Sequence, residues 1–286
     1  MDDLNKAPDK PVGSNGQHLP LSKIIPNMIT MMALIAGLSS LQKAINGEYE
    51  AAVLLLLAAA VFDVLDGAVA RALNAQSEIG AQLDSFSDFL AFGVAPGIIL
   101  YEWTLGDAGK LGWIAAVVFP VAAALRLARF NVMSKMSHDI PMWKKRFFTG
   151  VPTPAGAILC LFPLYIWFLF PETFEGFSSA TPLVAVWAII VAALMVSRIP
   201  TLSIKYMKIP PKMVVPTMAF VALMIAALFH APWVTLPLIC IAYAASIPWI
   251  FHTYRKLEKQ HQAEEEHISS LAFGITTIEI SSSEDD

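Results

Sequence analysis

From residue 28 to residue 253 the chain repeats one pattern, an apolar run of about twenty residues followed by a short polar break. Such a run, wound as a helix, covers the hydrocarbon thickness of a bilayer and satisfies its own backbone hydrogen bonds within the segment. Hydropathy windows place eight spans near 28–45, 50–73, 82–104, 111–132, 154–171, 180–197, 213–230 and 233–252. The pattern predicts an all-α polytopic transmembrane helical bundle. Composition closes the soluble alternative, because only 15% of the 286 residues are charged and 56% are hydrophobic, against about 25% charged in ordinary soluble domains.

Charge placement gives the orientation. Of the 19 Lys and Arg, all but Lys43 and Lys110 lie in the N-terminal tail, in the even-numbered connections or after the last span. The positive-inside rule makes that side cytoplasmic and puts both termini there. The expected organisation is a polar tail over 1–23, a transmembrane domain over 24–253 and a polar, mobile tail over 254–286. Asp2 and Asp3 are the wrong flank for a secretory signal, so the first span should remain in the mature protein. Segment 134–150 mixes Trp143, Phe147 and Phe148 with Lys144, Lys145 and Arg146, and reads as an interfacial helix or loop. A net charge of −4 argues against nucleic acid as a partner. Cys160 and Cys240 sit in apolar runs and read as small buried hydrophobes, and the six histidines show no zinc-binding spacing.

Four carboxylates stand where hydropathy disfavours them. Asp63 and Asp66 lie in the second span, Asp84 and Asp88 in the third, and each ionised carboxylate at bilayer depth costs about 2.5–3.5 kcal/mol on insertion scales. Asp63, Asp66, Gly67, Ala70 and Arg71 share one helical face, and so do Gly80, Asp84 and Asp88. The short polar connection between the spans makes them antiparallel neighbours, so the two stripes can converge. At about 1.5 Å per residue, Asp63 and Asp88 lie roughly 12 Å from the ends marked by Arg71 and Gly80. Like charges this close require protonation or a cation, and aspartate oxygens suit a hard divalent ion such as Mg²⁺ or Mn²⁺. Gly67, Ala70 and Gly80 clear side-chain bulk, and the Arg71 guanidinium has the fork geometry that suits phosphate. Together these groups describe a site for a diphosphate ligand.

The same eight residues fall on the pattern D-x2-D-G-x2-A-R-x8-G-x3-D-x3-D, and the chain here resembles the CDP-alcohol phosphatidyltransferase family. Pro26, Asn27 and Thr30 at the first span, FGVAP over 92–96, ALRLARFN over 124–131 and FTGVPTPA over 148–155 narrow the likeness to bacterial membrane-integral phosphatidylserine synthases. The likeness runs from about residue 24 to 165 and then fades. Many relatives have Asn where this chain has Ala33, a departure outside the aspartate motif. The resemblance implies transfer of the phosphatidyl group of CDP-diacylglycerol to the hydroxyl of L-serine with release of CMP. It implies divalent ions held by Asp63, Asp66, Asp84 and Asp88, with Asp88 as the general base. It places Pro26, Asn27, Thr30, Gly67, Ala70, Arg71 and Gly80 around the nucleotide and diphosphate. It also implies membrane lipids as surroundings, a bacterial inner-membrane location with a cytoplasm-facing site, and a homodimer.

Arg126 and Arg129, on one face at the cytoplasmic end of the fourth span, are candidates for the lipid phosphate or the serine carboxylate. They are also residues that anchor a cytoplasmic helix end without binding anything. The aspartate motif is common to sibling transferases that use glycerol 3-phosphate, inositol phosphate or choline, so it does not choose the acceptor. A transporter using the aspartates as an ion path is the reading from another class. It would spread carboxylates over several spans rather than two.

Overall fold

Long apolar stretches with few breakers wind most of the chain into helix. The computed structural model describes residues 21–135, 143, 147–172, 181–202 and 210–283. The helices in chain order are α1 (Leu21–Ile45), α2 (Tyr49–Ala72), α3 (Glu78–Asp88), α4 (Ala95–Trp103), α5 (Lys110–Lys135), α6 (Thr153–Cys160), α7 (Phe162–Leu169), α8 (Thr181–Val196), α9 (Pro211–His230) and α10 (Pro232–Ser283). A π-helical segment, Phe89–Val94, joins α3 to α4, and a 3-10 turn, Leu105–Ala108, precedes α5.

Among the described residues, six stretches are long and apolar enough to cross a bilayer: Ile24–Ile45, Tyr49–Ala72, Glu78–Trp103, Lys110–Met133, Pro211–His230 and Pro232–Gln262. The α6–α7 pair and the shorter apolar α8 stand at the remaining two expected spans, so a polytopic bundle of about eight crossings holds. The chain is a multi-pass membrane protein. The fifth span is broken because Pro163 has no N–H for the carbonyl of Leu159 four residues back. The chain turns at Leu161, and Trp187 Nε1 of α8 donates to that Leu159 carbonyl at 2.8 Å.

Small residues set the packing. Ala33, Ala36 and Ala44 of α1 and Ala52 and Ala59 of α2 are buried, which brings these two helices close together. At Gly37 an added Cβ would lie 3.0 Å from the Cβ of Ala91, so α1 crosses the π segment at contact distance. Phe92, Phe119 and Tyr165 fill the centre of the bundle. Large apolar side chains such as Val64, Leu111 and Phe229 point outward, the pattern of a surface facing acyl chains.

Two details go beyond the sequence reading. Phe147–Thr149 forms β1, paired antiparallel with β2 (Pro200–Leu202), Phe148 opposite Thr201. In the segment expected to be interfacial, residues 136–142 and 144–146 lie outside the described residues. The boundary expected at residue 253 is not a helix end, since α10 runs on through Ser283. The start of the expected tail is packed: Trp143 stacks on His261 with centroids 5.1 Å apart, and Phe147 meets Tyr254 edge-on at 5.2 Å. On the opposite side of the bundle, Lys43 pairs with Glu48 at 2.7 Å, which holds that exposed carboxyl below its usual range.

Candidate active site

The site starts from a sharp turn between α2 and α3. Asn74 takes a left-handed conformation (φ 48°), which its short polar side chain tolerates, and the chain reverses. Ser77 then caps α3, its Oγ accepting from Gly80 N–H at 3.0 Å. Past this turn the chain enters α3, and α1 packs against both α2 and α3.

Asp63, Asp66 and Asp84 each place a carboxylate oxygen within 4.8 Å of the others. Asp66 is buried, and the Thr30 hydroxyl, 3.1 Å from the carbonyl of Pro26, lies 2.5 Å from Asp66 Oδ2. Thr30 thereby ties α1 to α2 at the carboxylate itself. Ser87 Oγ adds a longer link to the Thr30 carbonyl at 3.5 Å. Asp88 stands outside the group of three. It faces Asp63, and its buried Oδ1 has no hydrogen-bond partner.

A cleft of about 240 Å³ opens beside the carboxylates, lined by Pro26, Asn27, Thr30, Asp66, Gly67, Ala70, Arg71, Gly80 and Asp84. All seven residues expected around a nucleotide are on its walls. Ala75, Gln76, Ser77 and Ala81 complete the lining, and sequence reasoning had not named them. The cap pattern at Ser77 was the one available signal, a Ser three residues before Gly80 at a helix start.

Two glycines stand where side chains approach the backbone closely. A Cβ at Gly80 would lie 2.7 Å from Asn27 Oδ1 and 2.9 Å from Ser77 Oγ, and one at Gly67 would lie 3.3 Å from Arg71 Nη1. The missing side chains let Asn27 reach the start of α3 and let the guanidinium fold back along α2.

Arg126 and Arg129 separate. Arg129 Nη1 donates to the Val196 carbonyl at 3.0 Å, and its Nη2 donates to those of Thr149 at 2.8 Å, Ser197 at 3.3 Å and Met195 at 3.4 Å. The guanidinium thus ties β1 to the end of α8. Arg126 is buried, donates from Nη1 to Thr153 Oγ1 at 2.5 Å, and lies within electrostatic reach of Asp88.

Three carboxylate oxygens this close match the size of the oxygen shell around a hard divalent ion, roughly 4–5 Å across. The donor set is all oxygen, as such an ion requires. With a guanidinium and small residues beside them, inside a helical bundle, these groups form a site suited to a divalent ion and a phosphate-bearing ligand.

The CDP-alcohol phosphatidyltransferase family model matches residues 23–196, and a second, CDP-alcohol phosphatidyltransferase 2, matches residues 212–248. The chain belongs to the CDP-alcohol phosphatidyltransferase family. Members of this family generally use a divalent metal, and the aspartate group stands in the matched segment. The chain is 34% identical over 241 residues to the CDP-diacylglycerol–serine O-phosphatidyltransferase of Mycobacterium leprae, covering 84% of this chain and 79% of that protein. It is 31% identical over 220 residues to the protein of the same name from Methanocaldococcus jannaschii, covering 77% and 90%. With the Bacillus subtilis protein of that name it shares 34% identity over 137 residues, 48% of this chain and 72% of that one. The likeness therefore extends well past residue 165, into α9 and α10.

Proposed function

We propose that the chain transfers the phosphatidyl group of CDP-diacylglycerol to the hydroxyl of L-serine and releases CMP, as a step of phospholipid synthesis. The observation that carries the reading is the group of Asp63, Asp66 and Asp84 at the edge of a cleft that also contains Arg71. The names of the relatives support serine as the acceptor. Asp63, Asp66 and Asp84, with Asp88 close behind, would hold Mg²⁺ or Mn²⁺. When bound, such an ion neutralises the diphosphate oxygens and stabilises CMP as the leaving group.

The side chains of the protein divide the remaining work. Arg71 binds phosphate oxygens through its fork of donors. Pro26, Asn27, Gly67, Ala70 and Gly80 shape the nucleotide cleft, and Thr30 fixes the Asp66 carboxylate. Asp88 accepts the proton of the acceptor hydroxyl as its oxygen bonds to the phosphatidyl phosphorus and the bond from that phosphorus to the CMP oxygen breaks. The cleft opens to the cytoplasm, where serine and CMP are soluble. It also opens sideways to the bilayer, where the acyl chains of the donor remain. The protein works as a homodimer in the bacterial inner membrane.

An acceptor panel tests this. The purified protein in detergent with CDP-diacylglycerol and Mg²⁺ or Mn²⁺ should release CMP and form lipid product with L-serine, and not with glycerol 3-phosphate, inositol phosphate or choline. Chelation should abolish the reaction, and restoring either ion should recover it. Turnover with one of the other acceptors and none with serine would reassign the chain within its family.

A further inference from the structure

The stretch FGVAP over 92–96 follows closely on Asp88, yet none of its residues lines the cleft. Its backbone is wound differently from the α-helices on either side. Ala95 N–H donates to the Leu90 carbonyl, five residues back instead of four, so the turn Phe89–Val94 holds one residue more than an α-helical turn. One extra residue rotates the helix before it by about 100° relative to the helix after it. The helix after it is seated: α4 lies so close to α5 that a Cβ added at Gly97 would be 2.6 Å from the Ala116 carbonyl oxygen. The helix before it carries Asp84 and Asp88.

The wide turn is gripped from two sides. Ala91, Phe92 and Gly93 are buried. Against α1, a Cβ added at Gly37 would lie 3.0 Å from the Ala91 Cβ and 3.1 Å from its Cα; against α5, one added at Gly93 would lie 2.9 Å from the Ala123 Cβ. Backbone and alanine methyl groups have no rotamer by which to swing away. Pro96 supplies the chemical reason for the width, since it offers the Phe92 carbonyl no N–H. We infer that Gly37, Gly93 and Pro96 are positioning residues: they keep this turn wide, and the wide turn sets the rotation at which α3 presents Asp88 to the reacting groups. This rests on the reading of Asp88 as the base. The far end of α3 is held separately, by the Ser77 cap and by Asn27, whose Oδ1 would lie 2.7 Å from a Cβ at Gly80. A disturbance at the wide turn therefore moves Asp88 most and the cleft-lining start of α3 least.

The test measures kcat, KM for CDP-diacylglycerol and Tm on the full-length chain in detergent with L-serine and Mg²⁺, with sites counted by binding of the nucleotide lipid. Gly93→Ala should lower kcat about tenfold or more and leave KM for CDP-diacylglycerol within about twofold of the wild type. Pro96→Ala returns an N–H to the Phe92 carbonyl and lets the turn narrow, so Tm should hold or rise while kcat again falls about tenfold. A merely structural role would move Tm and kcat together. Wild-type kcat in either variant, or a kcat loss matched by an equal rise in KM for the lipid, overturns the inference. Should Gly93→Ala fail to fold, Pro96→Ala decides alone. Asp88→Asn separates the two readings: its loss of turnover beside an unimpaired Pro96→Ala sinks this inference only, whereas its near-normal turnover sinks the base reading first and this inference with it.

Discussion

Asp66 and Asp88 are one residue type on neighbouring helices, and their surroundings separate their roles. Asp66 is held by Thr30 on the wall of the cleft, whereas the Oδ1 of Asp88 is buried without a partner. Asp88→Asn should therefore retain metal-dependent CDP-diacylglycerol binding and lose about 10²–10⁴-fold in kcat, measured as CMP release beside a binding titration. Near-normal turnover would remove Asp88 from the base role. Asp66→Asn should instead weaken metal-dependent donor binding, seen as a higher metal concentration for half-maximal binding; an unchanged metal dependence contradicts that assignment. The carboxylate stripes were legible because helical periodicity puts them on facing sides of adjacent spans. The Thr30–Asp66 contact was not, since it joins residues 36 apart, and no local period encodes which hydroxyl meets which carboxylate. Arg126 and Arg129 show the same limit. Three residues apart on one helix, they are parted by what other elements present, a threonine hydroxyl to one and a set of backbone carbonyls to the other.

At the scale of elements, the third span reaches the site in three windings rather than one. Pro96 has no N–H to give the carbonyl of Phe92, and the helix widens over Phe89–Val94, directly after Asp88. Hydropathy located this span and the broken fifth one but could not distinguish a π turn or a break from regular helix, because both remain apolar. The three-residue strands β1 and β2 were missed for a different reason: three residues are too few to display a period of two. Close approach of elements also carries a prediction. An added Cβ at Gly97 would lie 2.6 Å from the Ala116 carbonyl oxygen, rigid backbone at the α4–α5 crossing. Gly97→Ala should destabilise the bundle by about 1–3 kcal/mol, read as a lower Tm in detergent. Gly67→Ala should leave Tm nearly unchanged, because its nearest neighbour is the flexible end of Arg71. Equal Tm values for the two variants would mean that α4 and α5 do not cross at Gly97.

Over the whole molecule, the expectation of orientation rests on where the basic residues stand along the chain. By the order of spans in the sequence, the basic residues fall on the side where α2 ends and α3 begins, the end at which the cleft lies, with Lys43 and Lys110 opposite. If the positive-inside rule governs this chain, the cleft must face the cytoplasm, and the acceptor and CMP exchange there without crossing the bilayer. The two native cysteines are buried, so each engineered thiol would report with little background. Gln76→Cys, exposed in the cleft, should react with a membrane-impermeant maleimide in inside-out vesicles and not in right-side-out ones. Lys110→Cys, exposed at the start of α5, should show the opposite pattern. CDP-diacylglycerol should slow labelling at position 76 and leave position 110 unaffected, which links the sidedness to the site itself. Labelling of both thiols from one side would break the alternation of spans on which the topology rests, and an exchange of the two patterns would turn the cleft away from the pool of soluble substrate.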